Sequence, residues 1–379
     1  MNRDGDLPLV FHLITGLGVG GAERMLARTS ARAERYRHTV CVLSDRGPVA
    51  EELAAAGIPV QALGLAGGFS VPAGLMKLRA AIASSGASIL QSWLVHSNVA
   101  AALLGPGMLP LIWNVRHTLD GFERERQSTR WALRGSALLS RKPAKIIYNS
   151  HLAAAHHEAI GYPGDRTVVV PNGFELQDTG TDKVSRDRFR HSIGLADGDI
   201  AVGLIARVHP IKNHAGFLAA AARIVREHPR VKFVLAGAGT EATGALARKW
   251  HSKLAENAIW LGQRQDVSHV NASLDLAANV SFGEAFSNTL GEAMASGVPC
   301  IATNVGESAV LVGDTGWMCK SASTEDIEAA LRDAIGTRAE ERHRRGAAAR
   351  VRIRERYSLH AAAQRYESVY DCVLKRPCV

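Results

Sequence analysis

The sequence predicts an α/β protein made of two doubly wound units of parallel strands, and three observations carry that prediction. Short apolar runs alternate with helix-patterned stretches nearly from end to end. The alternation comes in two series, residues 9–170 and 200–302, separated by a mostly polar stretch from Phe174 to Asp199. At 379 residues the chain has length for two cores, since domains commonly run to about 100 to 200 residues. Strands that alternate with helices in this way form parallel sheets covered on both faces.

In the first series, Leu9 to Thr15 reads as a buried strand entering a glycine loop, and Ala22 to Arg32 as the helix behind it. Strands follow at Thr39 to Leu43, Ile89 to Trp93, Leu111 to Val115, Ile146 to Asn149 and Thr167 to Val170, with helices at Leu75 to Ile82 and Leu152 to Ala159. The second series places strands at Ile200 to Ile205, Phe233 to Ala236, Ile259 to Leu261, Leu274 to Val280 and Pro299 to Ala302. From Glu325 onward the pattern is helical and rich in Ala, Glu and Arg, through Arg338 to Arg356 and Leu359 to Leu374. In the last helix Ala362, Tyr366, Val369, Tyr370 and Val373 recur at spacings of three and four, an apolar stripe that needs a partner, with Ser358 placed to N-cap it. Thr179, Gly180, Thr181 and Asp182 mark the hinge, which divides the chain into residues 1–179, 180–357 and a terminal helix at 358–379.

Composition narrows the functional class. Lys and Arg total 45 against 36 Asp and Glu, a formal charge of +9, with 46% hydrophobic and 21% charged residues, unlike disordered, collagen-like or coiled-coil chains. The longest stretch without a full charge, Ala80 to Val115, is interrupted by Ser84, Ser85, Gly86, Gln91, His96, Asn98, Pro106 and Pro110, so no membrane-spanning helix is expected. The start, with Asp4, Asp6 and Pro8, lacks the basic and apolar regions of a signal peptide. Cys41, Cys300, Cys319, Cys372 and Cys378 are odd in number and never spaced as CxxC, which fits a reducing cytoplasm and neither a disulfide framework nor a zinc site.

Charge is unevenly placed. Residues 116–145 hold eight Lys or Arg against three Asp or Glu. Arg124, Arg126, Arg130, Arg134, Arg141, Lys142 and Lys145 lie around Trp131, Leu133, Leu138 and Leu139, which suits either a basic amphipathic surface for an anionic membrane or a solvated helix face. Nucleic-acid binding lacks a supporting motif.

Three motifs point to a phosphorylated ligand. Gly16, Gly18 and Gly21 spell G-x-G-x-x-G in a strand-to-helix loop, and Asp45 closes the second strand. That pattern fits a nicotinamide dinucleotide, another phosphorylated ligand, or simply a tight turn. Further on, Ser281 to Glu292 joins a strand end to a helix that Ser287 can N-cap, so the amides of Asn288, Thr289 and Leu290 face an anion. Glu284 and Glu292 flank that cradle, as carboxylates would if a diphosphate carried hydroxyl-bearing groups on each side. Arg207 and Lys212 follow the strand Ile200 to Ile205, where two cations can neutralise a leaving diphosphate. Asp197-Gly198-Asp199 spells D-x-D but reads as a turn, and His156-His157-Glu158 lacks a partner at metal-binding spacing, so no metal is expected.

Taken together, Gly-Gly-Ala-Glu-Arg at 20–24, Pro171-Asn172-Gly173, Arg207 with Lys212-Asn213, the Glu284 to Glu292 block and Ala293 to Pro299 resemble the retaining glycosyltransferases of family 4, in order across both domains. The sequence departs from the usual pattern at Ala285, Glu307 and Val310. The resemblance implies the GT-B fold, with two Rossmann-like domains facing across a cleft and the terminal helix returning to the first. It implies a metal-independent enzyme that moves a hexose-type sugar from a nucleotide diphosphate donor to a saccharide or lipid-linked acceptor, as in surface polysaccharide or glycoconjugate synthesis, with no cofactor. Arg207 and Lys212 would clamp the diphosphate with amides near Asn288, Thr289 and Leu290, Glu292 would hold the ribose and Glu284 a sugar hydroxyl. Gly18 to Gly20 would approach the diphosphate on closure, and His117, by itself an ordinary strand-end histidine, would sit near the anomeric carbon. Arg116, Arg130 and Arg134 would lie on the acceptor or membrane side, placing the enzyme in the cytoplasm or at the inner face of the cell membrane. A nicotinamide oxidoreductase using the first glycine loop leaves the motifs of residues 203–298 unexplained, and an idle sugar-nucleotide-binding partner would lack Glu284 or Lys212, which are present.

Overall fold

The computed structural model describes residues 7–65, 71–105, 109–119, 127–176 and 183–375. Arg124, Arg126, the boundary expected at residue 180 with its hinge, and Cys378 lie outside the described residues. The chain divides into two compact units, Met1–Gly173 with Leu359–Val379, and Phe174–Ser358.

The first unit runs β1 (Leu9–Ile14), α1 (Gly21–Ala31), β2 (Arg37–Val42), α2 (Val49–Ala55), β3 (Val60–Ala62), α3 (Val71–Ser85), β4 (Ile89–Trp93), α4 (Val95–Leu103), β5 (Leu111–Val115), α5 (Gln127–Leu139), β6 (Lys145–Tyr148), α6 (His151–Ala159) and β7 (Thr167–Val169). The second runs α7 (Lys183–Ser192), β8 (Ile200–Ile205), α8 (His214–Ile224), β9 (Val231–Ala236), α9 (Ala245–Leu254), β10 (Ala258–Gly262), α10 (Val267–Ser273), β11 (Leu276–Asn279), α11 (Asn288–Ala295), β12 (Cys300–Thr303), α12 (Ser308–Val312), β13 (Trp317–Cys319), α13 (Thr324–Gly336) and α14 (Ala339–Arg356). The last helix, α15 (Leu359–Val373), belongs to the first unit.

Every strand pairing is parallel, in the orders β3-β2-β1-β4-β5-β6-β7 and β10-β9-β8-β11-β12-β13. Helices on both faces explain why the central strand Ile200–Ile205 reads as a continuous apolar run rather than an alternating one, and why Ile89–Trp93 is buried along its whole length, where its polar Gln91 and Ser92 are met by Tyr370 and Asn98. The edge strands β3 and β13 have no counterpart among the predicted strands. Each is three residues long, too short to carry a period.

The stripe on α15 finds its partner within the first unit. Tyr366, Val369 and Tyr370 join the core with Val10, Val40, Trp93 and Ile112. Polar contacts fix the helix register: Glu367 Oε1 accepts the backbone N–H groups of Glu34 at 2.8 Å and Arg35 at 2.6 Å, and Tyr36 Oη donates to Asp371 at 2.7 Å. Arg35 pairs with both carboxylates. A buried tyrosine hydroxyl needs such a partner, and Tyr370 finds one in Gln91 at 2.6 Å.

Candidate functional site

In the second unit β8 lies between β9 and β11. The chain leaves β8 toward one side of the sheet and returns on the other, so the loops after β8 and β11 diverge and open a crevice at the carboxyl ends of the strands. Arg207, Lys212 and Glu284 all lie on those two loops.

The β8 loop is stiff. Val208 N donates to Ala238 O at 2.7 Å, and Gly237, at φ 136°, passes so close that a Cβ would stand 2.3 Å from Ala206 O. Pro210–Lys212 form one 3-10 turn, and Asn213, at φ 53°, caps α8 by accepting the Gly216 N–H at 3.2 Å. This turn delivers Lys212 to Glu284, with which it forms an ion pair. Arg207 is exposed and makes no side-chain hydrogen bond among the described residues.

The β11 loop holds Glu284 asymmetrically. Its Oε1 accepts from Lys212 Nζ and from Ser281 Oγ at 2.9 Å, with Asn279 Nδ2 3.5 Å away. Its Oε2 carries no hydrogen bond among the described residues, so one oxygen is anchored and the other is available to a ligand hydroxyl. Gly306, at φ 55°, lets the following loop pack on this one, since a Cβ there would lie 2.1 Å from Glu284 O. Ser287 caps α11 as expected, and in doing so corrects one expectation: the Leu290 N–H is taken by Ser287 Oγ at 3.4 Å and does not face an anion. Asn288 and Thr289 remain at the helix start, partly exposed, with the Thr289 N–H unpartnered among the described residues. Glu292 stands one turn further along, also partly exposed.

Sequence reasoning missed Asn279. It is the last residue of β11, buried, and touches Glu284, Ser287 and Thr289. Its signal was present as one amide side chain at the end of an apolar run, where a buried polar group requires partners. The D-x-D stretch is a turn, with Gly198 at φ 78° and Asp199 accepting the Ala196 N–H at 2.8 Å. Among the described residues no group of three His, Cys, Asp or Glu stands close enough to hold a metal ion.

The corresponding position in the first unit is the junction of β1 with β4, whose loops again leave on opposite sides. Leu17 is buried and anchors the glycine loop, while Gly18 and Val19 are exposed. A Cβ on Gly18 would meet nothing within 4 Å, and its φ is not positive, so the chain itself makes no demand for glycine there. Gly47 is the residue that the loop requires: its Cβ would sit 2.1 Å from Leu17 O. Opposite, Leu94 joins β4 to α4 at φ 70°, an uncommon conformation for leucine, and Thr15 Oγ1 and Ser97 Oγ share a hydrogen bond of 3.0 Å.

His117 lies two residues beyond β5, partly buried, its ring edge-on to His157 at 5.2 Å, and burial lowers its pKa, which keeps the imidazole neutral near pH 7. Arg116, expected on the acceptor or membrane side, is partly buried and donates to Tyr366 Oη at 2.9 Å and to Asn172, with its guanidinium 5.7 Å from the Trp93 ring centre. It thereby ties β5 to α15 and to the Pro171-Asn172-Gly173 turn. On α5, Leu133 and Ser136 face the core, whereas Trp131 (68% exposed), Arg134 and Leu138 (85% exposed) face out. Arg134 stacks on Trp131 at 5.8 Å, Arg130 is partly buried, and Lys142 reaches back to Ala102 O at 2.8 Å near the end of α4.

Residues 19–178 match the family described as Glycosyltransferase Family 4, and residues 199–337 the family described as Glycosyl transferases group 1. Among curated proteins, the chain is 34% identical over 197 residues to D-inositol 3-phosphate glycosyltransferase of Rhodococcus erythropolis, covering 48% of this chain and 43% of that one. It is 29% identical over 191 residues to N-acetyl-alpha-D-glucosaminyl L-malate synthase of Bacillus anthracis, covering 50% and 49%. The chain thus spans about half the length of these relatives. HepE of Anabaena, solved in complex with UDP, superposes with a TM-score of 0.82 at 21% identity, over 97% of this chain and all of that one, which shows a shared GT-B fold.

Proposed function

The chain belongs to the group 1, family 4 glycosyltransferases, and on that premise we propose that it moves a hexose-type sugar from a UDP-linked donor to a saccharide or lipid-linked saccharide, with retention and without a metal. The observation that carries the proposal is the junction of β8 and β11. Arg207, Lys212 and the start of α11 supply positive potential there, beside a carboxylate with one free oxygen. A diphosphate bears charge that such groups stabilise most as it leaves, and a sugar bears hydroxyls that a carboxylate oxygen binds. UDP is the nucleotide favoured because HepE was solved with UDP and with UDP-glucose.

In the proposed reaction the bond from the anomeric carbon to the diphosphate oxygen breaks as the acceptor hydroxyl attacks from the same face, and the departing phosphate takes the hydroxyl proton. Arg207 and Lys212 hold the diphosphate, Glu292 the ribose and Glu284 Oε2 a sugar hydroxyl. His117 is assigned as a neutral hydrogen-bonding group for the sugar, and Gly18 as a point of close approach to phosphate, because a side chain is absent where the fold has room for one. The exposed Trp131, Arg134 and Leu138 on α5 are proposed to rest on an anionic membrane surface, tethering the enzyme reversibly at the site of surface polysaccharide or glycoconjugate synthesis. Among the described residues no helix is long and apolar enough to cross a membrane.

Proton NMR of the first product formed from UDP-glucose and a hexose acceptor, in EDTA, tests this reading. An α-linked product is expected. A β-linked product, or activity restored only by manganese, contradicts it.

A further inference from the structure

Resting on the donor-site reading above, we propose that Asn279 is a positioning residue that fixes hydrogen-bond polarity at the start of α11, so that the Thr289 hydroxyl is left as a donor for the diphosphate. Asn279 Oδ1 accepts the Ser281 N–H at 3.3 Å, and a backbone N–H can only donate, so the amide is oriented with Nδ2 toward the loop. From there Nδ2 lies 2.6 Å from Ser287 Oγ, 3.1 Å from Thr289 Oγ1 and 3.5 Å from Glu284 Oε1.

Ser287 Oγ therefore accepts twice, from Asn279 and from the Leu290 N–H at 3.4 Å, which uses both its lone pairs. Its single proton goes to Thr289 Oγ1, 3.2 Å away. Thr289 in turn accepts from Ser287 and from the second Asn279 N–H, so its own proton has no acceptor left within the network. No other side-chain hydrogen bond of Thr289 occurs among the described residues, and the residue is partly exposed. Thr289 thus offers two donors, its amide and its hydroxyl, at the positive end of a helix. Both Nδ2 protons of Asn279 are thereby used, and Glu284 Oε1, 3.5 Å from the same nitrogen, is held by Ser281 and Lys212 instead.

An aspartate at this position would reverse the chain of donors. Ser287 would give its proton to the new carboxylate, and Thr289 would turn its own proton inward to Ser287. The test is a double-mutant cycle on UDP affinity, measured by calorimetry for wild type, Asn279→Asp, Thr289→Val and the double variant. Hydrogen bonds to charged groups are worth enough that Thr289→Val should weaken UDP binding about tenfold or more in the wild-type background. It should cost almost nothing in the Asn279→Asp background, because the donor is already lost. A merely structural role for Asn279 gives the same Thr289→Val penalty in both backgrounds, and that result overturns the proposal. Should Asn279→Asp fail to fold, Thr289→Val and Thr289→Ser decide alone: weakened binding that serine restores supports the relay, and unchanged binding in the valine variant refutes it. If wild type binds no UDP, the donor-site reading itself fails and takes the relay with it.

Discussion

Lys212 and Arg207 carry the same charge in the same loop, and the structure gives them different second roles, so a paired substitution separates catalysis from stability. Both Lys212→Met and Arg207→Ala remove a cation proposed to face the leaving diphosphate, and such a loss costs about 2.7 to 4 kcal/mol in comparable sites, or two to three decades of turnover. Only Lys212 is also an internal partner. Its ion pair with Glu284 leaves the side chains 22% and 13% exposed, between the surface case, worth about 0 to 1 kcal/mol, and the buried case, about 3 to 5 kcal/mol when one partner is removed. Ser281 still donates to the stranded carboxylate, which limits the penalty to about 1 to 2 kcal/mol. For a unit of this size about 2 to 4 °C is lost per kcal/mol, so Lys212→Met should melt several degrees early and Arg207→Ala at the wild-type temperature. Adding Glu284→Gln to Lys212→Met should recover the melting temperature and leave the enzyme inactive. Transfer rates beside calorimetric melts decide the matter. Wild-type turnover in both single variants, or equal destabilisation by both, would show that the two cations do not play these separate roles.

Other perturbations test other parts of the molecule. Burial pushes His38 and His157 down to about 4, below the value of about 6.5 expected in an unfolded chain, so between those values the unfolded state binds protons that the folded state refuses. Stability should therefore fall as pH drops from 6.5 toward 4, by roughly 3 kcal/mol for each histidine, and a flat urea midpoint across that range would contradict the burial argument. Gly18→Val should leave the melting temperature unchanged and lower turnover, whereas Gly47→Ala should lower the melting temperature because its Cβ meets Leu17 O; the reverse pattern would remove Gly18 from the site. Wild type should sediment with anionic vesicles at low salt and release as salt rises, and a Trp131→Ser, Arg134→Gln, Leu138→Ser variant should not; wild type that ignores such vesicles ends the membrane proposal.

Much of this is legible in the sequence because parallel strands buried on both faces are short, mostly apolar runs, and Ile89 to Trp93, Leu111 to Val115 and Ile200 to Ile205 have the limits the sequence predicts, the polar Gln91, Ser92 and Asn114 within them notwithstanding. The stripe of Tyr366, Val369 and Tyr370 could be read because a helix with one apolar face needs a partner. What sequence alone could not supply was the direction of individual side chains. Arg116 looked like its basic neighbours, yet one helix brings Tyr366 to it and the strand ladder brings Trp93, so it is a tie inside the first unit. Lys142 likewise spends its charge on a helix-end carbonyl. Leu290 counted as a free amide until the N-cap geometry assigned its proton. Gly47 went unnoticed because its constraint is a backbone thirty residues earlier in the chain, and Asn279 because Ser287 and Thr289 are brought to it only when the β11 loop closes over the start of α11.

The central claim, that the β8 and β11 junction binds a nucleotide diphosphate sugar, is met most directly by titrating UDP and, separately, NAD into the purified protein in EDTA and following the heat. Saturable binding of UDP at one site per chain is expected, lost when Arg207→Ala and Lys212→Met are combined, with no binding of NAD. Binding of NAD without UDP, or UDP binding that survives the loss of both cations, would contradict the claim.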